Sequence, residues 1–165
     1  MAPQTRALSA LIATTLLTSW VLAAVGCGSA TSYSTVFVPD GDPEMARAIA
    51  EAVASISKLD AALEAGGARC FVKAAFPCPD GDEEICWVRV DEKRNGTYHG
   101  TLDVVPENLP GLRAGSPVGV AVKDAVDWMI VVDGAPIEGN FTLRVLLPRM
   151  SADEAAQAKR AMGWK

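Results

Sequence analysis

The sequence predicts an α+β domain, an antiparallel sheet flanked by helices. Three observations carry that reading. Apolar residues recur at helical spacing over 42–63, several short β-prone runs separated by turn residues follow from Cys70 onward, and a capped helical segment closes the chain at 151–164. The helix opens at Asp42-Pro43-Glu44, where Asp caps the first amides, Pro fits the first helical position and Glu suits the positive helix end. Met45, Ile49, Ala52, Ile56, Leu59 and Leu63 then repeat every three or four residues, predicting one amphipathic helix of about six turns ended by Gly66-Gly67. Cys70–Phe76 and Glu84–Val90 read as strands around the turn Pro79-Asp80-Gly81-Asp82. Asn95-Gly96 predicts a tight hairpin into a strand over Thr97–Val104, because both turn residues tolerate positive φ. Val118–Val122 and Asp127–Val132 complete about five strands, expected to curl toward a half-barrel. Residues 138–147 admit two readings: Phe141, Leu143 and Val145 alternate like a strand, but a short helix stopped before Pro148 is favoured. Ser151-Ala152-Asp153-Glu154 is a capping box for the last helix, and Gly163 can take a left-handed cap with Trp164 folding back.

The N-terminus reads as an address. Arg6 supplies a positive charge, Ala7 to Val25 form an apolar stretch, and the small residue Gly26 precedes Cys27. That order is what a signal peptide needs, and the cysteine placement resembles the lipobox of bacterial lipoproteins, with Ala24 where Leu is usual. The resemblance implies cleavage before Cys27 and acylation of that residue. Each buried CH₂ contributes about 0.8 kcal/mol, so several acyl chains hold a protein at a membrane essentially permanently. Gly28 follows, not the Asp that resembles an inner-membrane retention signal, so an outer-membrane position is expected in a diderm cell. The expected organisation is a signal peptide over 1–26, a lipidated Cys27 with a Ser-, Thr- and Gly-rich tether to 41, and one domain over 42–165. An uncleaved membrane anchor is the competing reading of the first segment.

The whole chain has 15 Lys and Arg against 20 Asp and Glu, and only Arg6 among these lies before Cys27, so the exported form carries 14 against 20, a balance of −6. An acidic domain of this kind has nothing to neutralise a phosphate backbone, which excludes a general nucleic-acid binder. Cys70, Cys78 and Cys86 remain beyond the anchor, and three thiols cannot all pair within one chain. Cys78 and Cys86 flank one turn and are the nearest candidate disulfide, although a tight hairpin would set Cys86 opposite Ala75 and so require a looser loop. The competing reading is three small buried hydrophobes. Their spacing does not resemble a metal-binding pattern, and the single histidine is His99, so no metal or other cofactor is expected.

Several motifs then occur in a fixed order: Ile85-Cys86-Trp87-Val88, Gly100-Thr101-Leu102, Pro110-Gly111-Leu112-Arg113-Ala114-Gly115, Asp127-Trp128-Met129, Asp133-Gly134, and Gly139-Asn140-Phe141-Thr142-Leu143-Arg144. As a set they resemble the YegJ-like family of domains of unknown function, a likeness that also takes in the 42–63 helix and the 70–76 strand. Two departures stand out. Gly139-Asn140 replaces a Gly-Gly pair, which the tolerance of Asn for left-handed geometry accommodates, and Ser116 stands where an acid is usual. The resemblance implies a fold and a constellation, and no activity, substrate or cofactor.

Asp127, Trp128, Thr142 and Arg144 form the candidate binding patch. A tryptophan beside a carboxylate with an arginine nearby can hold a planar or anionic ligand by stacking and a bidentate contact. The alternative is a packing tryptophan with an Asp–Arg pair fixing the sheet to the Phe141 segment. His99 is the default general base for an enzyme reading, with Asp127 or a free cysteine as partner, but no nucleophile elbow accompanies it. The expectation is therefore a lipid-anchored envelope protein acting as a non-catalytic binding or interaction module, its partner an envelope protein or small ligand. A small envelope hydrolase or transferase using His99, and a purely structural envelope component, are the alternatives.

Overall fold

The computed structural model describes residues 41–133 and 135–164. The expected signal peptide, the lipidated Cys27 and the tether up to residue 40 lie outside the described residues. The element order is α1 (Pro43–Ala54), α2 (Ser57–Ala65), β1 (Arg69–Pro77), β2 (Glu83–Arg94), β3 (Thr97–Leu102), β4 (Pro117–Ala121), β5 (Ala125–Val132), β6 (Ala135–Gly139), α3 (Phe141–Leu146) and α4 (Ala152–Ala161). The fold is α+β: the six strands form an open antiparallel sheet in the order β4-β3-β2-β1-β5-β6.

Alternation along the strands divides the sheet into two faces. One face sends Val72, Val88, Tyr98, Trp128 and Ile130 under the N-terminal helices, which contribute Ala52 and Leu59. The other face carries a smaller apolar cluster of Phe71, Met129 and Val131, against which Trp87 and Met162 pack. Among the described residues no helix is long and apolar enough to cross a membrane.

Local signals behave as the sequence predicts where partners are close in the chain. Asp42 Oδ1 accepts from the Glu44 and Met45 amides at 2.9 Å. The Ser151–Glu154 capping box is formed in both directions. Asn95 and Gly96 take φ of 50° and 75° at the β2–β3 turn.

Three expectations are corrected. The single helix over 42–63 is two, broken at Ser55 and Ile56. Ser55 Oγ donates to the carbonyls of Glu51 and Ala52, and Trp128 Nε1 also donates to Ala52 at 2.8 Å, so the last turn of α1 is capped instead of continued. The sheet has a sixth strand, β6, which contains Pro136 and Gly139 and pairs only with β5. Pro is excluded from central strands because it lacks an N–H and is tolerated at an edge, which is where β6 lies. The sheet is open and does not close into a half-barrel. Over 138–147 the favoured short helix forms: strand β6 ends at Gly139, the helix runs Phe141–Leu146, and a 3₁₀ turn, Leu147–Arg149, carries the chain through Pro148.

Candidate functional site

Alternation in β5 sends Trp128 to the helix-covered face and Asp127 to the opposite one, where Asp127 is 1% exposed. Its carboxylate is saturated. Oδ1 accepts from the Trp128 amide at 2.8 Å and the Phe141 amide at 3.1 Å, while Oδ2 accepts from the Thr142 amide at 2.8 Å and the Thr142 hydroxyl at 2.6 Å. The turn that makes this possible is Gly139-Asn140, with φ of 88° and 60°. A Cβ on Gly139 would collide with the Trp128 carbonyl, so only glycine fits there. Asn140, left-handed and without a side-chain cap, leaves the first amides of α3 to Asp127. A carboxylate from the sheet thus caps a helix that begins 14 residues later in the chain, its charge matched to the positive helix end.

Lys73 completes this node. It pairs with Asp127 across β1 and β5, and its Nζ donates to Thr142 Oγ1 at 3.1 Å while lying 5.4 Å from the Trp87 ring centroid. Burial pulls the Lys73 ammonium below its ordinary range, and the Asp127 charge pushes the other way. Sequence reading missed Lys73. The available signal was a lone lysine in the otherwise apolar Cys70–Phe76 run.

Of the four residues expected to form a binding patch, three are interior. Trp128, 1% exposed, meets the Phe141 ring edge-on at 5.7 Å and 62°. Thr142 is buried as well. Arg144 is exposed and makes no bond to Asp127, so the anticipated Asp–Arg pair is replaced by the Asp127–amide cap. Its guanidinium instead lies 5.9 Å from the Phe141 ring centroid and 5.2 Å from that of Trp164, and Nη2 donates to the Gly139 carbonyl at 3.2 Å. Trp164 is in reach because Gly163 turns the chain back at φ 64°.

Arg144 lines an open cleft of about 450 Å³ between α1 and α3. Arg47, Ala48 and Glu51 form the α1 wall, at helical spacing on one face, and Phe141, Arg144 and Val145 form the other. Glu44 stands at the end of the α1 wall, where Arg149 bonds it at 2.7 Å and Asp42 at 2.6 Å. The Arg149 guanidinium beside Asp42, with the Met45 amide, holds the Asp42 carboxyl down to about 2.

The structure does not bring His99 to the partners expected for it. His99 is on β3 and Asp127 on β5, with β2 and β1 between them. His99 also faces away from the core that holds Cys70 and Cys86, as the alternating burial of β3 shows. The three described cysteines are buried free thiols, so the Cys78–Cys86 bridge is not formed in the structure. The β1–β2 register explains this: Ala74 lies opposite Cys86, and Cys78 stands beyond the Pro77–Glu83 pair that closes the ladder. Burial pushes the Cys86 thiol up to about 11, with the Glu84 charge acting in the same direction. Among the described residues no group of His, Cys, Asp and Glu is arranged to hold a metal ion.

Residues 42–165, from the cap of α1 to the end of the chain, match the family described as "Uncharacterized protein conserved in bacteria (DUF2314)". The chain belongs to that family. The DUF2314 match spans every element described above, so the Asp127 cap and the α1–α3 cleft both lie within it. No curated protein and no solved structure matches the chain.

Proposed function

We propose that this DUF2314 chain is an exported, lipid-anchored envelope protein whose α1–α3 cleft binds a ligand or partner without transforming it. The Arg6, apolar stretch and Cys27 pattern supports the anchor, and the motifs resembling the YegJ-like family support the assignment of 42–165 as its working domain. The observation that carries the binding reading is Arg144. An exposed guanidinium fixed over two aromatic rings, with no carboxylate partner among the described residues, forms one wall of an open cleft. Asp127 and Thr142, by contrast, have their hydrogen-bonding capacity taken up by α3 and Lys73, which makes them the support that sets the position of Arg144.

Two measurements test the reading. Acyl labelling in cells is expected for the natural chain and lost in Cys27→Ser; undiminished labelling of the variant removes the anchor. A photoreactive residue replacing Val145 in the anchored protein is expected to give an adduct in intact cells that disappears when Arg144→Gln is added. An adduct indifferent to Arg144 would show that the cleft is not the binding surface.

A further inference from the structure

The charged groups around the cleft divide into those with partners and those without. Arg149 is taken by Asp42 and Glu44. Among the described residues Arg47 and Glu51 form no ion pair, and the partners of Arg144 are the Gly139 carbonyl and two ring faces. Arg47 and Arg144 come from opposite walls, so uncommitted guanidinium chemistry is present on both sides of one space. Glu51 is one helical turn beyond Arg47 on the same wall and adds an uncommitted carboxylate. Between them the surface is apolar, from Ala48, Phe141 and Val145.

A ligand complementary to this arrangement has a carboxylate at one end, an ammonium at the other and a modest apolar group between. We infer that the cleft binds a short peptide by its free C-terminal carboxylate. Arg144 and Arg47 hold the carboxylate, Ala48, Phe141 and Val145 take a side chain, and Glu51 receives the N-terminal ammonium. The inference rests on the cleft being the binding site and adds the class of ligand.

Three physical points favour this class. The guanidinium fork matches a carboxylate bidentately, which a lysine could not do. Stacking on Phe141 and Trp164 orders Arg144 before any ligand arrives, so binding loses less side-chain freedom. The uncommitted Glu51 on the same wall repels a dianion such as phosphate, whereas a zwitterion meets both signs of charge. The volume, about 450 Å³, is within the range of about 300–1,000 Å³ common to small-ligand sites.

The test is calorimetric titration of the full chain in detergent with Ala-Val-Ala, its C-terminal amide, its N-acetyl form and inorganic phosphate. Saturable binding of the free peptide is expected, weakened at least about tenfold by amidation and by Arg144→Gln or Arg47→Gln. Glu51→Gln is expected to weaken the free peptide and leave the N-acetyl form unchanged. Arg47 is exposed and makes no ion pair among the described residues, so its variant decides the matter should Arg144→Gln disturb the fold. Equal binding of acid and amide, tighter binding of phosphate, or no saturation below about 10 mM would each overturn the inference. If the Arg144-dependent adduct at position 145 persists while the peptides fail, the ligand class alone is wrong; if both fail, the cleft is not a binding site.

Discussion

Replacing Asp127 by Asn keeps the shape of the side chain and removes its charge, which isolates the contribution of the helix cap. Two of the four bonds, those from the Trp128 and Phe141 amides, survive if the amide oxygen takes the place of Oδ1. The new NH₂ then faces the Thr142 amide and hydroxyl, both of which donate to Oδ2 in the natural protein. Hydrogen bonds to charged groups contribute about 1.5–3 kcal/mol each, and two of them are lost here. Asp127→Asn also removes the charge that favours the half-buried Lys73 ammonium. A loss of about 3–6 kcal/mol is therefore expected, a large part of the roughly 5–15 kcal/mol that stabilises an ordinary domain. Urea denaturation followed by circular dichroism measures it. Thr142→Val is expected to lose about 1.5–3 kcal/mol, and the double variant to lose less than the two singles together, by at least about 0.5 kcal/mol, because they share a bond. An Asp127→Asn protein within about 1 kcal/mol of the natural one would refute the claim that this carboxylate fixes α3 to the sheet.

Other outcomes follow from the same geometry. Asp42 is held at about 2 against an ordinary 3.8, so its contribution is complete above pH 3.8 and is lost as pH falls toward 2, where the unfolded chain takes up the proton first; Asp42→Asn should flatten acid unfolding in that window. Cys86 has the opposite sign. Its folded thiol keeps a proton up to about 11 against an ordinary 9.0, so stability is expected to decline between those values, less so in Cys86→Ala, as alkaline denaturation curves would show. In the native protein the three buried thiols should react slowly with a thiol reagent and all react after unfolding; a bridged pair would leave one. Gly139→Ala should lose at least about 2 kcal/mol in urea denaturation, since the new Cβ meets the Trp128 carbonyl and the backbone is left-handed, whereas Asn140→Gly should cost less, because the easier backbone offsets the lost contact of the buried Asn140 amide with Met162 Sδ at 3.0 Å.

What could be read from the sequence was set by how far apart the interacting residues lie. Asp42 caps amides two and three residues away, and Ser151 and Glu154 cap each other, so both helix starts are written locally. The break at Ser55 depends on Trp128, 76 residues from the carbonyl it engages, and periodicity over 42–63 carries no trace of it. β6 was missed because Pro136 and Gly139 argue against a strand unless its edge position is known. The patch was half legible. Asp127, Thr142 and Arg144 do gather around the start of α3, but which of them is buried follows from strand alternation and the Gly139-Asn140 turn. Lys73 and Arg47 became meaningful only when β1 was set beside β5 and α1 beside α3.

The two ends of the sheet carry a further consequence. Each outermost strand includes a proline, Pro117 in β4 and Pro136 in β6, and neither has an N–H to offer an incoming chain. A neighbouring copy that tried to extend the ladder would find a donor missing at either border, a feature that discourages edge-to-edge polymerisation. Copies of this chain therefore have a built-in obstacle to zipping together through their backbones.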